Sequence, residues 1–191
     1  MIVAFSSSSP IASVALISSA GGVLACRAKM APKAASSACI ALLHECLEMS
    51  SRSLEDVRLF AADIGPGSFT GTRVGVMMAK AFAYVRGCDC IGATSFDLIN
   101  PEKPAFVPSK KGEWLLRKPS REPVRVSVEP AEEAVGYPRE GLLPHYPNAA
   151  GFACLLDRMS TVRPEELMPF YFHEPSISKP NKPYRLEGLF D

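Results

Sequence analysis

Residues 61–85 read AADIGPGSFTGTRVGVMMAKAFAYV, and the interpretation of the whole chain starts from them. The stretch begins with small apolar residues, passes through a loop rich in glycine, and continues with apolar residues at helical spacing. Glycine and proline interrupt regular structure. The pattern therefore predicts a strand over residues 59–64, a tight loop, and a helix over residues 70–85. We expect Ser68 or Thr70 to cap that helix by accepting a backbone hydrogen bond.

The loop itself is a candidate site for a nucleotide or another anion. A glycine loop that leads into a helix offers free N–H groups and the positive end of the helix dipole, both of which suit a phosphate or a carboxylate. A tight connection without a ligand explains it equally well, because neither a P-loop lysine nor a GxGxxG pattern is present. The residues of this candidate site are Gly65, Pro66, Gly67, Ser68, Phe69 and Thr70.

The helix after the loop carries two stripes of apolar residues. One stripe has the i, i+3, i+4, i+7 spacing of an ordinary core face, and it consists of Val74, Met77, Met78, Ala81 and Val85. The other stripe repeats every four residues with almost no side chain, and it consists of Gly71, Gly75, Ala79 and Ala83. Small residues let a second helix approach closely, so this second stripe predicts either a partner helix or close packing on the chain's own sheet.

A first helix is predicted over residues 36–49, and its apolar arc is wide. Two neighbouring apolar stripes leave only a narrow polar side, which favours either a second packing partner or deep burial. One stripe consists of Ile40, Leu43 and Leu47, and the other of Cys39, Leu42, Cys46 and Met49.

Composition limits the classes of function. The chain has 191 residues, 47% of them hydrophobic, and a formal net charge of +1. That charge gives no reason to expect strong direct binding of nucleic acid. No apolar run reaches the length of a membrane span, and the start MIVAF lacks the basic region of a signal peptide. We expect a cytoplasmic protein whose six cysteines are reduced and bind no metal.

The order of predicted elements differs between the two halves. The first half predicts strands over residues 2–5, 11–18 and 23–28, then the first helix, the strand and helix around the loop, a strand over residues 90–94, and a short helix or turn over residues 95–99. The second half holds fourteen of the 17 prolines. It predicts short strands over residues 105–108, 113–117 and 124–128, a helix over residues 148–159 capped by Asn148, and an extended or disordered tail from residue 172.

The loop GPGSFTG (residues 65–71), followed by Arg73, Val74 and Gly75, resembles the signature of the TsaB family, also called YeaZ. That family is related to TsaD. The likeness extends to residues 12–16, 53–56, 111–113 and 167–171, and it is strong over residues 1–100 and weak after them. The resemblance implies an α/β fold of the actin-like ATPase type (ASKHA, ribonuclease H-like), with a mixed sheet and helices. It also implies two lobes, over residues 1–100 and 101–191, the second being smaller and shortened.

The resemblance further implies an accessory role in making N6-threonylcarbamoyladenosine at position 37 of tRNA. In that family TsaD holds the metal and transfers the threonylcarbamoyl group, while TsaE joins as an ATPase. This chain would then be a non-enzymatic scaffold that binds no cofactor itself, reaches tRNA only through the complex, and forms a possible homodimer. The resemblance places the partner surface on the first two helices, at Ser36, Cys39, Ile40, Leu43, Gly71, Arg73, Val74, Gly75, Met78, Ala79, Phe82 and Ala83.

Two departures from the family favour the scaffold over an enzyme. Ser6 and Ser7 stand where relatives carry Asp-Thr after the first strand, and Ala35 and Cys39 stand where the catalytic relatives carry a metal-binding pair of histidines. A serine lacks the charge that Mg²⁺ requires of its ligands. The alternative is an ATPase or phosphotransferase that uses the glycine loop, for which Asp63 is the only adjoining acid. A glycoprotease has no support, since the HExxH pattern is absent.

Overall fold

A five-stranded mixed sheet forms the first part of the molecule. The computed structural model describes residues 1–131 and 133–172. Strands β1, β4 and β5 are parallel, and β2 and β3 add to them as antiparallel neighbours, so the order is β3-β2-β1-β4-β5. The strands are β1 (Ile2–Ser6), β2 (Ile11–Ile17), β3 (Val23–Met30), β4 (Leu59–Asp63) and β5 (Asp89–Ala93). All five predicted strands are confirmed.

Two long helices cover one face of this sheet. Helix α1 (Ala35–Ser50) packs on β2 and β3, and helix α2 (Phe69–Arg86) packs on β1, β4 and β5. The two helices also contact each other. A short helix, α3 (Ser95–Ile99), follows β5 as predicted. Ser68 is the N-cap of α2, and its hydroxyl accepts a hydrogen bond from Gly71 N–H at 3.2 Å.

The other face of the sheet is covered by a segment from the second half of the chain. Successive residues of a strand point to opposite faces, and β1 follows this rule. Val3 and Phe5 join the core under the helices, whereas Ile2 and Ala4 join a second core that includes Phe152. The central strands are therefore buried on both faces, as their continuous apolar sequences require.

A second, smaller sheet has the order β8-β7-β6-β9. Its strands are β6 (Ala105–Pro108), β7 (Trp114–Arg117), β8 (Val124–Val126) and β9 (Val135–Gly136). The three predicted strands of this half are confirmed, two of them with shorter bounds. The two-residue strand β9 was not predicted, because so short a segment has no periodicity to detect.

The predicted helix over residues 148–159 is wrong. The segment forms two 3₁₀ turns, Ala149–Cys154 and Leu156–Arg158, although Asn148 caps the first turn as expected. Residues three apart lie on the same side of a 3₁₀ turn, and this arrangement buries both Phe152 and Leu155 against the sheet. Contact with the sheet thus overrides the helical pattern of the sequence.

The predicted core face of α2 is also wrong. Met77 is 59% exposed and Val85 is 81% exposed, Ala81 is exposed, and Val74 and Met78 are half-buried. The stripe of small residues is buried instead, together with Thr72 and Val76. The physical reason is the closeness of the helix to the chain after β1, which leaves no room for larger side chains on that side.

The predicted tail from residue 172 onward falls almost entirely in residues 173–191, which lie outside the described part of the chain. Within the described part, no helix combines the length and the apolar character that crossing a membrane requires.

Candidate functional site

The glycine loop fits tightly against the segment that follows β1. A Cβ atom added at Gly67 would overlap the carbonyl oxygen of Ser8, and one added at Gly71 would overlap that of Ser7. The N–H of Ser68 donates to the Ser8 carbonyl at 2.6 Å, and Ser7 Oγ donates to the Gly71 carbonyl at 2.8 Å. These contacts account for both glycines without a ligand.

Asp63 lies at the carboxyl end of β4, beneath the loop, and is 1% exposed. Its carboxyl oxygens accept hydrogen bonds from four donors, three of which are far away in the sequence. The donors are Ser6 Oγ at 2.8 Å, Ser8 Oγ at 2.5 Å, Ser95 Oγ at 2.7 Å and Gly65 N–H at 2.9 Å. Asp63 therefore joins the ends of β1 and β4, the glycine loop and the start of α3.

Burial raises the pKa of the Asp63 carboxyl, while the hydrogen bonds from Ser8, Ser95, Gly65 and Ser6 act in the opposite direction. Since these donors occupy its oxygens, the role of the Asp63 carboxyl is structural. Among the residues that the structure describes, no group of three or more histidine, cysteine, aspartate or glutamate side chains could hold a metal ion.

This raised pKa predicts how stability depends on pH. The folded state binds the proton of Asp63 more tightly than the unfolded state, so stability falls as pH rises from the usual value near 3.8 to the raised folded pKa. Asp63→Asn lacks this titration. The free energy of unfolding of the wild type minus that of Asp63→Asn should decline over this window and then level off, as measured by urea denaturation at a series of pH values. A difference that grows with pH would contradict the raised pKa.

A cleft of about 920 Å³ opens beside the loop. The turn between β1 and β2, the N-terminal ends of α1 and α2, the end of β6 and Tyr137 line it. Its polar groups are mainly serine hydroxyls, and Lys33 is the one charged side chain among its described lining residues. Ser7 and Ala35 are both in the lining, and neither can act as a ligand that neutralises a divalent cation. The cleft can accommodate a small molecule, but it lacks the carboxylates that hold Mg²⁺.

The predicted partner residues of α1 and α2 divide into two groups. The first group belongs to the interior of the molecule. Phe82 stacks on Phe60 with ring centroids 5.7 Å apart, and the rest of the group is buried: Cys39, Leu43, Gly71, Gly75, Ala79 and Ala83. The stripe of small residues therefore packs on the chain's own sheet. The second group is accessible, and it consists of Ser36, Ile40, Arg73, Val74 and Met78.

Several accessible apolar residues of these helices were not predicted as site residues. Met77 is 59% exposed and Tyr84 is 76% exposed on the outer side of α2. At the start of the same helix, Phe69 contacts the ring of Tyr171 at 5.2 Å, and the guanidinium of Arg73 lies 5.0 Å from the Phe69 ring centre. The helical spacing of the sequence included Met77, but Met77 was assigned to the core. Periodicity alone could not tell which of the two stripes of α2 faces the sheet.

Comparisons with known proteins show which proteins share this fold. Residues 8–100 match the family model of TsaD, described as tRNA N6-adenosine threonylcarbamoyltransferase. The structure of YeaZ from Pseudomonas aeruginosa matches with a TM-score of 0.71, covering 89% of this chain and 98% of that chain at 15% identity. The chain therefore has the fold of YeaZ, and residues 8–100 resemble TsaD. The expected actin-like ATPase fold is confirmed.

A second solved structure similar to this chain is described as an uncharacterized protein with similarity to peptidase YEAZ from Pseudomonas aeruginosa. It has a TM-score of 0.74 and 17% identity, and the match covers 90% of this chain and 99% of the other. No curated protein matches the chain by sequence. Together these comparisons show the fold of the chain and the likeness of residues 8–100 to TsaD.

Proposed function

We propose that the chain is a non-catalytic scaffold subunit of tRNA N6-threonylcarbamoyladenosine synthesis in the cytoplasm. It would pair with a TsaD-like protein and a TsaE-like protein and reach tRNA only through them. The observation that carries the proposal is the accessible apolar surface of α1 and α2. We call this the helix surface and define it by Ile40, Val74, Met77, Met78 and Tyr84. ATP and metal would be held by the partner subunits.

The exposure of these residues supports a protein partner. Ile40 is 51% exposed on α1, and Met77 and Tyr84 are more exposed still on α2. Aromatic residues and methionine are enriched in protein interfaces relative to other surfaces. Because α1 and α2 contact each other on one face of the sheet, their outer sides are neighbours. A partner helix can pack there without any change in the buried side of either helix.

The chemistry of the cleft supports a role without catalysis. Asp63 accepts internal hydrogen bonds. The described lining residues of the cleft offer hydroxyls and Lys33 but no carboxylate. An actin-like ATPase would need an acidic ligand for Mg²⁺ at this place. The alternative of an ATPase or phosphotransferase therefore has no observation in its favour.

The helix surface can be tested by placing a charge in its middle. Met77→Lys and Ile40→Lys should each weaken binding to the TsaD-like protein of the same cell by at least about thirtyfold, the ratio expected for an interface residue worth about 2 kcal/mol. Calorimetry with the purified pair gives the affinity. Both residues are exposed, so thermal unfolding of the variants should stay close to that of the wild type.

Val128→Lys is the matched control, because Val128 is 78% exposed and lies outside both helices. It should bind the TsaD-like protein as the wild type does. Unchanged affinity of both helix variants would overturn the assignment of the surface. Sedimentation of the chain alone shows whether the same surface forms a homodimer, since Met77→Lys should then shift the dimer toward monomer.

A further inference from the structure

We propose that a second cavity, unrelated to the helix surface, binds a small organic anion with an apolar body and a phosphate or carboxylate head. The cavity measures about 860 Å³, which lies within the range of roughly 300–1,000 Å³ typical of small-molecule sites. It opens beside the carboxyl end of β5, between α3, the turn joining β7 to β8, and the 3₁₀ turn Leu156–Arg158. Ligands of open α/β sheets bind in crevices outside the carboxyl ends of strands.

Three arginines from separate segments converge on this cavity. Arg117 comes from β7, Arg121 from the turn after β7, and Arg158 from the second 3₁₀ turn. Ion pairs with Asp97 and Glu102 offset the charges of Arg117 and Arg158, so the three guanidinium groups can lie near one another. The planar guanidinium group matches the geometry of phosphate and carboxylate oxygens. The cavity therefore has the donors that an anionic head requires.

Arg117 is fixed before any ligand arrives. It is 6% exposed, and its guanidinium donates to the carbonyls of Pro101 and Asn100 at 3.1 and 2.9 Å and to Asp97 at 3.0 Å. Its Nε is buried and has no hydrogen-bond partner among the described residues. Asp97 balances the charge of Arg117, so this arginine contributes an ion pair of fixed geometry to the wall of the cavity.

Arg121 supplies the charge that remains available. Its guanidinium is exposed and makes no hydrogen bond or ion pair with the described part of the chain. The preceding residue, Ser120, also lines the cavity and has φ +57°, in the left-handed region that residues other than glycine rarely adopt. Backbone held in this region is enriched at ligand sites.

The remaining lining residues define the kind of anion. Two carboxylates also line the cavity: Asp97, which is paired with Arg117, and Glu122. Arg117 and Arg158 each have a carboxylate partner, Asp97 and Glu102, so Arg121 is the arginine left for a ligand, which suits one anionic head better than a polyanion. Arg158 also donates to Glu102 at 2.6 Å. The other walls are largely apolar and include Phe96, Leu155, Met159 and Phe170. These walls suit a flat apolar body attached to the head.

The test is calorimetric titration of the full-length protein with phenyl phosphate and with benzoate, which distinguish a phosphate head from a carboxylate head. At least one should bind saturably in the wild type, and more tightly than inorganic phosphate. Arg121→Gln should weaken that binding about tenfold or more, as loss of a charged hydrogen bond does. Arg158→Gln should weaken it as well. Circular dichroism checks that the variants remain folded.

Arg52→Gln is the matched control, since it removes the same charge from an exposed arginine that does not line the cavity. It should bind as the wild type does. The proposal is overturned if neither probe binds saturably, if Arg121→Gln binds as tightly as the wild type, or if inorganic phosphate binds as well as the probes with the apolar ring.

Discussion

Gly71→Ala should lower the free energy of unfolding by about 3 kcal/mol, the upper part of the range for overpacking a core. The added Cβ would overlap the carbonyl oxygen of Ser7, which is backbone and cannot turn aside. The helix and the chain after β1 would have to separate, which also weakens the hydrogen bond from Ser7 Oγ to the Gly71 carbonyl. Urea denaturation followed by circular dichroism measures the change.

Gly75→Ala is the matched control, one turn further along α2. A Cβ at Gly75 would meet only the Ser7 hydroxyl at 3.1 Å, and the next atoms lie 3.9 Å away. Displacing the hydroxyl weakens its hydrogen bond to the Gly71 carbonyl by about 1 kcal/mol. This cost is offset because alanine favours a helix over glycine by about 1 kcal/mol. This variant should be nearly as stable as the wild type or slightly more stable. Equal effects of the two substitutions would show that helix propensity, and not the close approach at Gly71, governs this stripe.

Asp63→Ala should lower the free energy of unfolding by about 4 kcal/mol at neutral pH, in line with the cost of leaving buried polar groups without a partner. The substitution removes the acceptor of three serine hydroxyls and of the Gly65 N–H. These donors belong to three segments of the chain, the end of β1 with the turn after it, the glycine loop and the start of α3. Their loss therefore loosens the glycine loop together with the ends of β1 and β4. Equilibrium unfolding in urea gives the magnitude.

Asp157→Ala is the control for Asp63, because Asp157 is an exposed aspartate whose loss should change stability by less than about 0.5 kcal/mol. Single serine variants add detail. Ser95→Ala removes one donor and leaves the other three, so it should cost clearly less than Asp63→Ala. If Asp63→Ala is as mild as Asp157→Ala, then the network around Asp63 does not hold these segments together.

The strands and helices of the first half were predictable because the sequence patterns that specify them involve only neighbouring residues. The apolar runs of the first half predicted five strands, and the glycine loop with Ser68 predicted where α2 begins. Helix α1 differs from its prediction by one residue at each end. Each of these signals depends on a few neighbouring residues, through the φ/ψ limits of glycine and proline and the spacing of apolar side chains. The second half gave weaker signals because its elements are only a few residues long.

The side of α2 that faces the core could not be predicted in this way. The stripe of larger apolar residues and the stripe of small residues both have helical spacing. The size of the residues suggested that the larger ones face the core, which is wrong. The outcome depends on Ser7, whose backbone meets Gly71 at a sequence separation of 64 residues. The spacing of apolar residues does not reveal such a close approach between segments that are distant in the sequence. The exposure of Met77 and Tyr84, on which the proposed partner surface depends, follows from it.

The sequence by itself determined the strands, the two long helices, the capped loop between them and the likeness to the YeaZ fold, because each depends on local conformational preferences or on a short motif. Only the tertiary structure decided which stripe of α2 is buried, that Asp63 joins four segments, and that three arginines meet at one cavity. These features arise from residues far apart in the chain, and their proximity is set by the packing of the two sheets and their helices.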